Sequence, residues 1–198
     1  MSLPLPVKRT GKMESGAEPG LEGRRAVNIR PCRRSDAAPL AALAIQVWLH
    51  TYAREGINGP MARFVLEQFT PDYFRRIQQA DHLQLLLAHE GALLRGFITI
   101  DLEAVSEAGP GYGYEIVTLY VQEPFQGQGL GSALLERVSA EYGYPHWLRT
   151  WVHNGPAISW YQGRGFEEVG ETAFILEGEA HTNLILARGA ARPLKTPS

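Results

Sequence analysis

The spacing of apolar residues changes period repeatedly along this chain, and each change marks an element. Residues 27–30 alternate and predict a first strand. Ser35 and Asp36 then supply an N-cap. Leu40, Leu43, Ala44, Val47 and Trp48 recur at i, i+3, i+4, i+7 and i+8, which predicts a helix from Leu40 to about Ala53. Gly56 and Gly59-Pro60 end it and open a second helix from Met61 to Gln68, and Thr70-Pro71-Asp72 starts a further helical turn through Ile77. Leu83 to His89 is an apolar run with a turn at Glu90-Gly91. Phe97 to Leu102 alternates, and Tyr114 to Val121 is strongly β-prone; all three predict strands. A Gly-rich turn leads into a helix that begins near Leu130. After it come a strand at Trp147 to Val152, a short helix at Pro156 to Gln162, and two strands at Phe166 to Phe174 and Thr182 to Ala187.

The order β, α-α, β-β-β, α, β, α, β-β predicts an α+β fold built on one central mixed sheet. Flanking segments lack this periodicity. Residues 1–26 hold Gly11, Gly16, Gly20, Gly23, Pro4, Pro6 and Pro19 and read as a leader, and 189–198 read as a tail, leaving a domain at 27–188. Apolar residues make up 44% of the chain, enough for a core of ordinary size. No apolar run reaches the roughly 18–20 residues of a membrane span, and the N-terminus has no signal-peptide apolar region, so a cytoplasmic location is expected.

The chemistry concentrates between Tyr114 and Leu135. A β-prone run ends at Val121, Gln122 to Ser132 form a turn containing Gly127, Gly129 and Gly131, and a helix follows. Glycines remove side chains so that backbone N–H groups can close around an anion, and the helix start adds the positive end of its dipole. Such a turn holds a phosphate or pyrophosphate without a lysine. A Walker loop requires Gly-Lys-Ser/Thr, which is missing. A dinucleotide fingerprint fits Gly127 and Gly129 but meets Ser132 at its third glycine, and no βαβ unit leads into it. A turn that binds nothing would carry the entropic cost of three glycines in five residues without return.

Gln126-x-x-Gly129-x-Gly131 resembles the Q/R-x-x-G-x-G/A signature of the GNAT superfamily of N-acetyltransferases, whose loop grips the pyrophosphate of acetyl-CoA. Leu119-Tyr120-Val121 followed by Pro124 looks like that family's fourth strand. Asn154-x-x-Ala157-x-x-Trp160-Tyr161-x-x-x-Gly165-Phe166 resembles its second cofactor segment. The resemblance covers roughly residues 27–188. It implies the GNAT fold, a mixed and mostly antiparallel sheet splayed at its middle with flanking helices. It implies an acetyl-CoA-dependent N-acetyltransferase acting on an amine. It further implies that the backbone of Leu119, Tyr120 and Val121 pairs with the pantetheine arm. Gln126, Gly127, Gln128, Gly129, Leu130, Gly131 and Ser132 would form the pyrophosphate loop. Asn154 would contact pantetheine, and Tyr161 would protonate the departing thiolate.

These residue types suit the reaction. A lysine-like amine has a pKa of about 10.4 and must lose a proton before it attacks. Glu115, eleven residues before Gln126, is the candidate base, at the place where histone-type relatives carry a glutamate; burial in an apolar cleft would raise its pKa. The same residue can instead order water or bind the substrate's charge. A backbone N–H near Leu119 or Tyr120 can serve the developing oxyanion if the strand is bulged. Trp48, His50, Tyr52 and the Gly56–Pro60 loop supply aromatics for either a pocket or plain core. The alternative function is a catalytically silent acyl-CoA-binding or sensing domain.

Charge and metal-ligating residues narrow the partners. Residues 1–34 carry a net +5 and residues 35–198 a net −7, so the body attracts a cationic substrate and repels nucleic acid. The lone Cys32 excludes an intrachain disulfide and sits among Arg30, Arg33 and Arg34, which can lower a thiol pKa; the plainer reading is a semi-buried strand cysteine. His50, His82, His89, His146, His153 and His181 form no i, i+4 pair, and no metal is expected. His153 next to Asn154 reads as inert. Acceptor identity, acyl-chain length and the choice between monomer and homodimer stay open.

Overall fold

A computed structural model describes residues 27–176 and 178–190. The expected leader and all but the first two residues of the expected tail lie outside them. Seven strands form one sheet: β1 (Asn28–Pro31), β2 (Leu83–Glu90), β3 (Leu93–Asp101), β4 (Tyr114–Val121), β5 (His146–Trp151), β6 (Glu167–Leu176) and β7 (Glu179–Arg188). Their spatial order is β1-β2-β3-β4-β5-β7-β6. Every neighbouring pair is antiparallel except β4 and β5. Helices α1 (Ala37–Tyr52), α2 (Gly59–Gln68) and α3 (Pro71–Ile77) pack over one face, and α4 (Leu130–Tyr142) and α5 (Gly155–Gln162) over the other. This is the predicted mixed, mostly antiparallel sheet with flanking helices.

Local chemistry sets the boundaries. Asp36 accepts from the Arg33 backbone N–H at 2.7 Å and pairs with Arg30 at 2.7 and 2.9 Å, closing a 3-10 turn that runs straight into α1. Helix α1 therefore starts at Ala37, earlier than predicted. Pro39 is tolerated in its first turn, where N–H groups have no intrahelical acceptor. The α2 cap is Asn58, accepting from Met61 N–H at 2.9 Å; the α3 cap is Thr70, accepting from Tyr73 N–H at 3.1 Å. Strand β3 begins four residues before the predicted Phe97. Gly96 lies inside it because a Cβ there would stand 2.7 Å from the Tyr120 carbonyl oxygen. The β6–β7 hairpin also outruns its apolar pattern, since pairing continues through Ile175↔Ala180 and Leu176↔Glu179 into an exposed end.

The predicted α1 stripe, Leu40, Leu43, Ala44, Val47 and Trp48, is buried against Phe74, Leu85, Leu87 and Phe97. On the opposite face Leu130, Leu134, Leu135 and Val138 of α4 meet Leu86, Ile98, Ile100 and Ile116. Each fully buried leucine contributes about 1.5–3 kcal/mol. The two layers hold the sheet from both sides and fix the edges of the gap described next.

Candidate active site

Strands β4 and β5 share only two register pairs, Tyr114↔His146 and Glu115↔Trp147. Beyond Glu115 the β5-facing edge of β4 has no strand partner, so the sheet parts into a wedge. Across β4 the register with β3 slips between Thr99↔Thr118 and Ile100↔Ile116, leaving Val117 opposite no residue and 40% exposed. That is a bulge two residues before the Leu119–Tyr120 stretch where the sequence reading looked for one, and it turns backbone groups away from the regular ladder. Leu119, Tyr120 and Val121 follow it; Val121 is buried, and Leu119 packs against the α4 side.

At the open end of β4 stands the glycine turn. A 3-10 turn (Glu123–Phe125) precedes it, and Gln126 Nε2 donates to the Val121 carbonyl at 3.0 Å, tying the turn to the strand. Gln128 Nε2 donates to the Pro124 carbonyl at 2.9 Å. Gly127 and Gly129 have φ of 72° and 84°, a left-handed backbone that side chains disfavour, and the space in front of both is open. Gly129 caps α4 without a side chain, so the N–H groups of Leu130, Gly131 and Ser132 keep no capping acceptor. Gly131 has a different reason. It is helical, and a Cβ there would meet Trp160 of α5 at 3.3 Å. The third glycine's missing side chain serves close packing of α5 against α4, while its N–H stays among the uncapped donors.

Asn154 begins α5, and its side chain makes no capping hydrogen bond. Tyr161, the penultimate residue of α5, is buried in the α4-side core and meets the Phe166 ring at 5.1 Å. Burial pushes its phenol well above the ordinary tyrosine range, so it is protonated at neutral pH. Glu115 lies on the other face of β4. Its register partners Asp101 and Trp147 share that face, whereas Tyr114 and Ile116 belong to the α4 side. The fold thus gathers the loop, Leu119, Val121 and Tyr161 on one side of the wedge and leaves Glu115 on the other, at its closed end.

Glu115 is 6% exposed, and burial raises its pKa from the ordinary value. Arg149 of β5 opposes that shift. Its Nε and Nη2 donate to Oε1 at 3.0 and 2.8 Å, and Nη2 donates to Oε2 at 3.0 Å. Nη1 donates to Glu107 at 2.9 Å. Asp101 and Glu107 add like charge that favours the protonated acid. Sequence reasoning missed Arg149, because nothing local links it to a glutamate 34 residues away.

Of the predicted aromatics, Trp48 stacks on Tyr52 at 4.7 Å and Phe64 at 5.0 Å. Tyr52 reaches Trp151 of β5 at 5.3 Å, and Phe64 meets Phe174 of β6 at 5.6 Å. These rings join α1 and α2 to β5 and β6 across the mouth of the gap. His50 is exposed and turns away toward Glu123 at 3.9 Å. His153 is exposed and touches Trp151 edge-on. Cys32 follows β1; burial pushes its thiol up to about 11, against the pull of Arg30 and of Gln78, whose Nε2 donates to the sulfur at 2.9 Å. No helix among the described residues is long and apolar enough to cross a membrane, and no group of metal-ligating side chains is found among them.

The sheet is thus parted between its two parallel strands, with an uncapped helix start at the mouth of the gap. Residues 81–168 match the family model for the acetyltransferase (GNAT) domain. An uncharacterized N-acetyltransferase in the pepI 3′ region of Lactobacillus delbrueckii subsp. lactis is 25% identical over 169 residues, covering 82% of this chain and 96% of that protein. The fold is similar to that of the PaiA N-acetyltransferase from Thermoplasma acidophilum in complex with coenzyme A. The TM-score is 0.65 and the identity 21%, covering 82% of this chain and 98% of the other. It is also similar to YncA from Salmonella typhimurium with its cofactor acetyl-CoA, at a TM-score of 0.57 and 17% identity, over 87% and 98% of the two chains. The GNAT match is thus confined to residues 81–168, and the likeness to these solved N-acetyltransferase structures is one of fold.

Proposed function

We infer that this protein transfers an acetyl group from acetyl-CoA to a primary amine, of a small molecule or a protein, by direct attack in a ternary complex. The observation that carries the reading is the cradle itself. Left-handed Gly127 and Gly129 face open space beside three unfilled N–H groups at the start of α4, at the open end of a parted strand pair. A diphosphate fits that donor set, which offers amides and a dipole without a lysine. Bound there, acetyl-CoA supplies a thioester carbonyl as the acyl donor.

The chain's own groups do the rest. The unpartnered edge of Leu119, Tyr120 and Val121 binds the pantetheine amides as a guest strand would. Residues 126–132 hold the diphosphate, and the free amide of Asn154 adds a contact to the arm. A backbone N–H near Leu119 or Tyr120, just past the bulge at Val117, would serve the developing oxyanion. The amine nitrogen bonds to the carbonyl carbon, the carbon–sulfur bond breaks, and the Tyr161 phenol gives its proton to the sulfur. The amine's surplus proton goes to Glu115 through a water. Burial and the neighbouring carboxylates raise its pKa toward that task, and Arg149 holds it in place.

The three hydrogen bonds from Arg149 also favour a second reading, because they stabilise the anion and weaken it as a base. In that reading the protein binds acyl-CoA and does not turn it over. Release of free CoA from acetyl-CoA with a panel of amines decides between them. Turnover with any amine supports the transferase. Calorimetric binding of CoA with no turnover on the panel supports the silent domain, and no binding of CoA defeats both.

A further inference from the structure

Arg164 lies in the bend after α5, half-buried, with its guanidinium 3.7 Å from the centre of the Trp160 ring. Nη1 donates to the Trp160 carbonyl at 3.0 Å, and Nη2 donates to the Ser132 hydroxyl at 2.6 Å. Ser132 is in the first turn of α4, so a cation is held at the positive end of that helix, where the dipole disfavours it. All three of its contacts are neutral. Arg30, Arg75, Arg95, Arg137 and Arg149 each pair with a carboxylate, whereas no carboxylate lies within 4.0 Å of Arg164 among the described residues. The missing side chain at Gly131 is what lets Trp160 come close enough to carry Arg164 to the glycine turn. Of the five N–H donors on a guanidinium, two are used by these bonds and three remain, in the planar fork that suits phosphate oxygens.

We propose that Arg164, stacked on Trp160 and anchored to Ser132, is a phosphate-binding residue that grips the anionic end of coenzyme A. The proposal rests on reading the glycine turn as the coenzyme's phosphate seat. A phosphate there neutralises both the arginine and the helix start, which otherwise repel one another. The shared chemistry is a phosphate oxygen, supplied either by the diphosphate or by the 3′-phosphate of the ribose.

Calorimetric titration of the full chain with CoA, dephospho-CoA and pantetheine tests it. Arg164→Gln is expected to weaken CoA binding about tenfold or more, the loss of a charged hydrogen bond, and to leave pantetheine binding unchanged. An equal loss for dephospho-CoA assigns the diphosphate, and a loss confined to CoA assigns the 3′-phosphate. Arg164→Lys keeps the charge but loses the stacked fork, and is expected to fall between the two; it also serves if Arg164→Gln does not fold by circular dichroism. A folded variant whose CoA affinity stays within about twofold of wild type overturns the proposal. Failure of the wild-type chain to bind CoA would instead defeat the seat itself.

Discussion

His146 sits at the closed end of the wedge, paired with Tyr114 in one of the two bridges that join β4 to β5. It is 0% exposed, and neither ring nitrogen has a hydrogen-bond partner. Tyr114, Tyr144 and Phe166 surround it, with ring centres at 5.2, 4.9 and 5.3 Å. Desolvation therefore lowers its pKa from the ordinary 6.5 to about 4; the Gly143 backbone pulls the other way, but Tyr114 already donates to that carbonyl at 3.1 Å. The folded state binds the proton more weakly than the unfolded chain. Stability from neutral His146 is thus complete above pH 6.5 and is lost as pH falls through the window down to 4. Over the whole window the loss is about 3 kcal/mol, most of it by pH 4.5. His146→Phe removes the titration while keeping a ring in the apolar slot. Urea unfolding of both proteins at pH 7, 6, 5 and 4.5 measures the difference, from which the shared carboxylates cancel. Wild type is expected to lose about 2–3 kcal/mol relative to the variant as pH falls. If the two curves fall in parallel, or His146 titrates near 6.5 by NMR, the desolvation argument is wrong.

Tyr161→Phe is expected to lower kcat by about tenfold to a hundredfold while CoA affinity by calorimetry stays near wild type, because only the leaving-group step loses its donor. An unchanged kcat would remove Tyr161 from that role. Gly129→Val forces a branched side chain onto a φ of 84° in the open cradle, and is expected to abolish measurable CoA binding and to destabilise the fold by about 1–2 kcal/mol; retained affinity would refute the loop assignment. Arg149→Met leaves the Glu115 carboxylate buried without its cation, at a cost of about 1–3 kcal/mol at neutral pH. Glu115 then has a folded pKa raised further above its ordinary value, so the cost shrinks as pH falls and the acid takes its proton. A pH-independent cost in urea unfolding would count against that account.

What the sequence made legible and what it hid divide along the distance between interacting residues. Elements governed by near neighbours were readable. The α1 stripe, the strand Tyr114–Val121 and the two left-handed glycines all follow from spacings of a few residues. Boundaries drifted where a partner from elsewhere extended an element, as Tyr120 does for the strand around Gly96 and β7 does for the exposed end of β6. The site followed the same division. Gln126 to Ser132, the turn and the first residues of α4, are contiguous and read as one motif, yet the reason for the missing side chain at Gly131 lies in Trp160, 29 residues on. Arg149 and Arg164 act on Glu115 and Ser132 from 34 and 32 residues away, and an isolated arginine carries no periodicity to mark it. The parted strand pair joins these cases. Glu115 and Arg149 bridge the gap just past its last backbone pair, and α4 and α5 meet through Gly131, Trp160 and Arg164 at its mouth. Both bridges span the two halves of the sheet that the wedge separates, and only folding brings those halves together. The charges that face the gap are therefore the part of the chemistry that a linear reading loses first.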